Sequence, residues 1–278
     1  MIPLDLYEKW AACLDAQAIQ YLNEAEYREY RSIPELERLS QVKALLEKPI
    51  TRFTHVNEVF FRARWAEVLQ AAHIDQDLAL LEIASGDTDV IPQMMASQHP
   101  HSRYISANMN RILTGRLRAK TQDLAVEIVV IEEDAAAIDH YLPAESVHIV
   151  TFQHAVNDVL QAILCDQEGV DTIYTDWMET LPKMIQILQR EIRQNTFEQH
   201  VRPAFLALIE QLLRVLKKDG LVVMNHYMFQ LDLDWGYPPE LWEDLIPITR
   251  EWMKELPGCK EVFFEGFDPQ WWMFYQKG

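Results

Sequence analysis

Residues 78–91, LALLEIASGDTDVI, constrain the fold of this chain more than any other stretch. Apolar residues surround a single carboxylate, Glu82, and three small residues, 84–86, follow it. This pattern predicts a buried strand, a tight turn that brings backbone N–H groups close to a ligand, and then a helix. Because burying an unpaired charge is costly, Glu82 needs a partner. A buried strand-to-helix turn without a ligand is the alternative interpretation.

Strands and helices alternate through residues 78–152, which predicts a parallel sheet with right-handed crossovers. A further strand is predicted near the C-terminal end, and the short connection at 266–269 predicts an antiparallel hairpin after it. The predicted strands are 78–83, 103–107, 126–131, 147–152, 221–224, 261–265 and 271–275, and the helices between the first strands are at about 90–97 and 111–120.

Helical spacing of apolar residues dominates two other regions. Residues 4–72 contain no glycine and predict three or four helices. Residues 155–219 predict a helix at 173–193, interpreted as an insertion, and a helix at 205–216 that lysines and Gly220 terminate. Residues 232–239 are predicted as a loop and 241–256 as a helix.

Composition limits the class of protein and the kind of partner. The chain has 278 residues, of which 49% are hydrophobic and 24% charged, so it can bury a large core. Its net charge of −18 is expected to repel nucleic acid and anionic lipid and to favour a neutral or cationic small molecule. The three cysteines are far apart, so we expect no metal site and a reducing cytoplasm. We also expect no signal peptide and no membrane span, and we leave a homodimer open.

Four segments, in order, resemble motifs of the class I S-adenosylmethionine (SAM)-dependent methyltransferases. Residues 82–88 resemble motif I, acid-x-Gly-x-Gly-x-Gly, with Ala84 and Thr88 in place of two glycines. The other segments are RYISANMN (103–110), IEEDAA (131–136) and LKKDGLVVM (216–224). The resemblance covers roughly residues 56–278. It implies a Rossmann-like α/β fold with a seven-strand sheet and a closing antiparallel hairpin, a helical insertion at about 160–203, and an N-terminal helical cap at 1–55.

The resemblance implies SAM as the cofactor. Glu82 would lie near its methionine ammonium, Asn108 replaces the acid that usually binds the ribose, and Asp134 would accept a hydrogen bond from the adenine amine. The complete set implied for cofactor binding is Glu82, Ala84, Ser85, Gly86, Asp87, Asn108, Met109, Asp134, Ala135 and Gln153. The alternatives are a capping or turn role for Asn108 and a solvated acid at Asp134.

Polar residues follow the fourth strand, at the edge where open α/β sheets bind ligands. His154 is predicted as a general base, Asp158 as the acid that orients it one helical turn away, and His226 as a second candidate base. Asp158 as a helix cap is the alternative. Side chains suited to a flat or cationic substrate are Tyr21, Arg28, Tyr227, Trp235 and Tyr237. Helix packing is the alternative for aromatic residues.

The resemblance therefore implies methyl transfer from SAM to an oxygen or nitrogen of a small organic molecule. Because the sulfonium is already an excellent methyl donor, alignment of the nucleophile and exclusion of water would supply most of the catalysis. Two alternatives remain open. One is other SAM-linked chemistry on the same fold, such as aminopropyl transfer or cyclisation, and the other is a non-catalytic binding protein.

Overall fold

A computed structural model describes residues 4–47, 55–73 and 78–278. Its described residues form a seven-stranded sheet in the order β3-β2-β1-β4-β5-β7-β6. The strands are β1 (Ala79–Ile83), β2 (Arg103–Ala107), β3 (Glu127–Ile131), β4 (Val147–Gln153), β5 (Leu216–Asn225), β6 (Cys259–Val262) and β7 (Trp272–Lys277). Strands β1 to β5 pair in parallel, and β7 pairs antiparallel with both β5 and β6. The predicted parallel core and its closing antiparallel hairpin are confirmed.

Helices cover both faces of this sheet. Within the described ranges, four helices precede β1, at the upper end of the three or four that the sequence predicts, and three lie between β4 and β5. The helices are α1 (Leu4–Tyr21), α2 (Glu24–Ser32), α3 (Glu35–Glu47), α4 (His55–Ala71), α5 (Val90–Gln98), α6 (Arg111–Thr121), α7 (Val156–Gln167), α8 (Trp177–Gln194), α9 (Phe197–Val215), α10 (Gln230–Asp234) and α11 (Pro239–Met253). A 3-10 helix, Ala135–His140, follows β3.

The predicted helix end at 216 agrees with the end of α9 to within one residue, but the predicted stop signal, lysines in the last turn followed by Gly220, is wrong. The helix ends at Val215, and the lysines at 217 and 218 lie in β5. Gly220 explains the difference, since a Cβ atom there would lie 2.8 Å from the backbone oxygen of His148 on β4. The glycine therefore allows a close approach of two strands rather than ending a helix. The predicted loop at 232–239 also needs correction, because α10 occupies its beginning.

Two buried clusters fill the two faces of the sheet. One lies under α7, α8, α9 and α11 and contains Phe152 and Phe205. The other joins side chains of α1, α3, α4 and α5 to the opposite face, so that Leu45 and Leu80 belong to one cluster. The N-terminal helices therefore complete a layer of the sheet, while their assignment as a separate domain stays a prediction. Within the described ranges, no helix combines the length and the apolar character that a bilayer crossing requires.

Candidate functional site

Backbone strain marks the carboxyl edge of the sheet, immediately after β1 and after β4. Ala84 has φ 51° and His154 has φ 52°, in the left-handed region that residues with a side chain rarely adopt. The Ala84 N–H donates to the Ala107 carbonyl oxygen at 2.9 Å, which secures the first turn against β2. Strain of this kind concentrates at functional sites, so this edge is the candidate site.

Side chains of β2 and α6 contact the turn after β1, and the turn has open space at Gly86. The Ser85 and Ser106 hydroxyl oxygens are 2.7 Å apart, and the Lys120 ammonium contacts the Asp87 carbonyl oxygen at 2.8 Å and its carboxylate at 3.2 Å. A Cβ atom on Gly86 would have no heavy atom within 4 Å. The turn therefore leaves space in which a ligand could approach the backbone.

Glu82 is fully buried on β1 and has one of its two oxygens bonded. Its Oε2 accepts a hydrogen bond from the Tyr104 hydroxyl at 2.6 Å. Its Oε1 has no hydrogen-bond partner among the described residues, and neither has the hydroxyl of Thr151, its register neighbour on β4. Burial raises the pKa of Glu82 to about 8, although the Tyr104 hydrogen bond opposes the shift. The sequence pattern predicts that Glu82 has a partner, and the structure shows that this partner is Tyr104.

The residues implied for the ribose and the adenine make local hydrogen bonds. The Asn108 amide donates to the Gly86 carbonyl oxygen at 3.2 Å and accepts from the Asn110 N–H at 3.0 Å. Asp134 is exposed and accepts from the Ala136 N–H at 2.8 Å at the start of the 3-10 helix. The turn alternative for Asn108 and the solvated-acid alternative for Asp134 are therefore both compatible with the structure. Beside these two residues, Met109 is half-buried and Ala135 is buried.

Gln153 connects the site edge to the N-terminal helices. Its Oε1 accepts hydrogen bonds from the Trp65 indole N–H and from the Asn225 amide, the latter at 2.7 Å. The Asn225 side-chain oxygen accepts from the backbone N–H of His154 at 2.9 Å. These bonds occupy the Gln153 side-chain oxygen and connect it to the His154 backbone through Asn225.

The His154 imidazole lies between α10 and a second histidine. Its Nε2 is 3.8 Å from an Asp232 carboxylate oxygen, and its ring centroid is 5.0 Å from that of His226 and 4.8 Å from that of Phe229. Its Nδ1 accepts a hydrogen bond from the Tyr227 backbone N–H at 3.4 Å. An acceptor at Nδ1 places the proton on Nε2, which faces Asp232.

Asp158 lies in the same cluster, at the first turn of α7. Its carboxylate accepts from the Asn157 amide at 2.7 Å. Desolvation raises the pKa of Asp158 to about 7, with Asp232 adding to the rise and His154 opposing it. Burial holds the pKa of His226 well below its ordinary value, so that imidazole is neutral. The structure thus brings together the three predicted catalytic residues.

Asp232 is a functional candidate that the sequence pattern does not reveal. The pattern predicts a loop there, but the Asp232 carboxylate accepts from the Phe229 N–H at 3.0 Å and organises the first turn of α10. An acid three residues after a helix start was the available signal.

The five predicted substrate residues occupy different places. Tyr237 lies by the cluster, its backbone N–H donating to the Asp232 carbonyl oxygen and its hydroxyl to Gln161 at 2.9 Å. The other four contact other parts of the protein or solvent: Tyr21 accepts from Gln98, Arg28 pairs with Glu24 on the surface, Tyr227 is buried against Trp271 and Trp272, and Trp235 is exposed.

Neither the family models nor the curated proteins give a match to this sequence. Solved structures do. A protein of Methanococcus maripaludis assigned as a SAM-dependent methyltransferase is 9% identical, with a TM-score of 0.50 over 78% of this chain and 84% of that one. The CurJ carbon methyltransferase is 12% identical, with a TM-score of 0.47 over 100% and 71%. A Clostridium thermocellum protein assigned as an rRNA methylase is 11% identical, with a TM-score of 0.46 over 77% and 96%.

The likeness to the Methanococcus maripaludis protein, at this level of identity, establishes the fold. This chain has the Rossmann-like fold of the class I SAM-dependent methyltransferases, with seven strands and the antiparallel pairs at one end.

Proposed function

We propose that this protein is a SAM-dependent methyltransferase that acts on a nitrogen or oxygen of a small organic molecule. One observation carries the proposal: the strained, open turn after β1 and the cluster of His154, Asp158 and Asp232 share the carboxyl edge of a methyltransferase-type sheet. In an open α/β sheet this edge is where ligands bind.

The residues along β1 and β3 fit the cofactor. Glu82 has a free carboxylate oxygen for the methionine ammonium, the space beside Gly86 admits the ligand to the turn, and exposed Asp134 has a second oxygen for the adenine amine. When bound, the cofactor supplies a methyl group on a positively charged sulfur. The protein would hold the acceptor in line with that methyl group and exclude water.

The surface charge supports a small-molecule acceptor. A net charge of −18 opposes the approach of a phosphate backbone, since nucleic-acid binding depends on neutralising phosphates with Lys and Arg. The acceptor site would be the cluster after β4 and β5, where Asp158 is partly exposed.

Isothermal titration with SAM and with S-adenosylhomocysteine tests the proposal. We expect binding of both, and we expect Glu82→Ala to weaken it by about 1–3 kcal/mol, the usual loss for a hydrogen bond to a charged group. Asp134→Ala should weaken it by a similar or smaller amount because Asp134 is exposed. Absence of binding at millimolar ligand would overturn the assignment. Release of S-adenosylhomocysteine on turnover separates methyl transfer from aminopropyl transfer.

A further inference from the structure

The cluster after β4 and β5 contains the carboxylates of Asp158 and Asp232, and no lysine or arginine is among the described groups that shift the pKa of Asp158. Asp158 is influenced by His154 and Asp232, and the hydroxyl of Tyr237 by Asp158, Asp232 and Cys165. Two acids that share one partly buried position disfavour their joint ionisation. A cation placed between them would remove that cost, so the cluster is complementary to positive charge.

The Asn157 side-chain oxygen indicates independently that a hydrogen-bond donor could be bound in this cluster. Asn157 is 6% exposed, and its amide N–H₂ group donates to the Asp158 carboxylate, whose ionised form can only accept. This orientation leaves the Asn157 Oδ1 atom, on the same amide group, buried and with no hydrogen-bond partner among the described residues. A buried orphan acceptor is unfavourable by about 1–3 kcal/mol, so a ligand that donates to it is favoured.

The hydrogen bonds of His154 decide which group can take a proton. Its Nδ1 already accepts from the Tyr227 N–H, and its protonated Nε2 faces Asp232. The imidazole therefore presents no unused lone pair to a ligand. Asp158 does, because among the described residues only Asn157 donates a hydrogen bond to its carboxylate, and the residue is partly exposed.

We propose that the acceptor of the methyl group is a protonated amine, held by Asp158, Asp232 and the Asn157 side-chain oxygen, and that Asp158 rather than His154 removes its proton. An ammonium group offers N–H donors for all three acceptors. Phe229, whose ring lies against His154, adds an aromatic edge to the same position. This inference rests on the proposed function and assigns the roles within it.

The proton and electron balance is simple. One N–H bond of the ammonium breaks, its proton goes to the Asp158 carboxylate, and its electron pair stays on nitrogen. That pair forms the bond to the methyl carbon as the carbon–sulfur bond breaks and sulfur keeps its electrons. A pKa of about 7 suits Asp158 to accept a proton and then release it to water.

The binding test compares benzylammonium with its neutral isostere benzyl alcohol and with benzoate, by ligand-observed NMR, with and without S-adenosylhomocysteine. We expect benzylammonium to bind at least tenfold more tightly than either. Asp158→Asn and Asp232→Asn should each reduce that affinity at least fivefold. Asp234→Asn is the matched control on α10, because Asp234 is exposed and contacts Gln230.

Equal or tighter binding of the alcohol or of benzoate to the wild-type protein would overturn the inference, and this comparison needs no variant. Failure of S-adenosylhomocysteine to bind would overturn the proposed function instead. The preference for the amine, measured without S-adenosylhomocysteine, would still test whether the cluster binds a cation.

The proton-accepting role has its own measurement. With an amine that is methylated, Asp158→Asn should lower the rate at pH 7 at least 100-fold. The rate should return as the pH approaches the pKa of the free amine, because the substrate then arrives deprotonated. A loss of rate in Asp158→Asn that persists at high pH would show that Asp158 has a structural role. If His154→Gln lost more rate at pH 7 than Asp158→Asn, His154 would be the base.

Discussion

Ala84 and His154 hold similar left-handed conformations at the ends of adjacent parallel strands, β1 and β4. The methyl group of Ala84 opposes its φ of 51°, whereas a glycine would adopt it freely. This position corresponds to the first glycine of motif I in the resemblance. The chain therefore keeps the shape of the glycine turn without the glycine, at a cost in stability.

Ala84→Gly should stabilise the protein by about 1 kcal/mol, since relief of left-handed strain exceeds the extra flexibility of the unfolded glycine chain. Urea unfolding measures the change. Ala96→Gly, inside α5, is the control and should destabilise by about 1 kcal/mol, as glycine does within a helix. Loss of stability in Ala84→Gly would mean that the turn is not strained.

Glu82 predicts a pH dependence of stability with a definite sign. Its pKa rises from 4.5 to about 8 on folding, so the folded state favours the protonated carboxyl. This contribution is fully present below pH 4.5 and is lost as the pH rises to about 8. Glu82→Gln stays neutral throughout, so at pH 8 it should be more stable than wild type by roughly 3–5 kcal/mol, at about 1.4 kcal/mol per pKa unit.

Unfolding of both proteins in urea at pH 4.5 and at pH 8 checks this expectation. Their difference should be small at the lower pH, because the wild-type carboxyl is then protonated in the folded state. We expect the same variant to bind SAM more weakly, since a neutral amide attracts an ammonium less than a carboxylate does. A variant with wild-type pH dependence would show that Glu82 is ionised in the folded protein.

The secondary-structure elements whose bounds follow from the local sequence pattern are predictable, and those whose bounds depend on contacts with distant residues are not. The second strand, 103–107, is predicted with its observed bounds because the short segment RYISA is apolar enough for a strand between two predicted helices. Strand β5 was predicted five residues too late, since Lys217 and Lys218 resemble the end of a helix. Only the pairing of Leu216 with Val147 on β4 shows that the strand has begun.

The candidate site divides in the same way. His154, Asp158 and His226 were predicted because they follow strand ends, where the fold places ligands. Asp232 was missed, since a five-residue helix carries too little periodicity to detect. The tautomer of His154 depends on the Tyr227 N–H, which reaches it from another strand end, and no spacing in the sequence reports that contact.

The contrast between two glycines tests how β5 joins β4. Gly220→Ala should destabilise the protein by about 1–3 kcal/mol, because its Cβ would lie 2.8 Å from the His148 backbone oxygen and overpack the strands. Gly115→Ala, in α6, is the matched control. A Cβ atom there meets nothing within 4 Å, so it should stabilise by about 0.5–1 kcal/mol through helix propensity. Thermal unfolding distinguishes the two, and equal effects would contradict the close approach.

Over the molecule as a whole, the N-terminal helices share a buried cluster with the sheet, so we expect one cooperative unfolding transition. Leu45 of α3 is 0% exposed within that cluster, whereas Leu36 of the same helix is 82% exposed. Leu45→Ala should lower the free energy of unfolding of the entire chain by about 2–5 kcal/mol. Leu36→Ala should leave it nearly unchanged.

Far-UV circular dichroism and tryptophan fluorescence, followed through the same urea titration, provide the measurement. Coincident curves are expected for wild type and for both variants. A separate early transition in Leu45→Ala would show instead that residues 4–47 unfold as an independent unit.

The hydrogen bond from the Trp65 indole to Gln153 connects α4 to the carboxyl edge of the sheet. Gln153 is hydrogen-bonded to Asn225, and Asn225 is hydrogen-bonded to His154. Chimeras that carry the leading helices of another protein with this fold would lose this series of hydrogen bonds unless the indole donor were kept. Engineers who wish to alter acceptor choice by exchanging those helices should therefore expect turnover to change as well, even where the new helices never touch the acceptor.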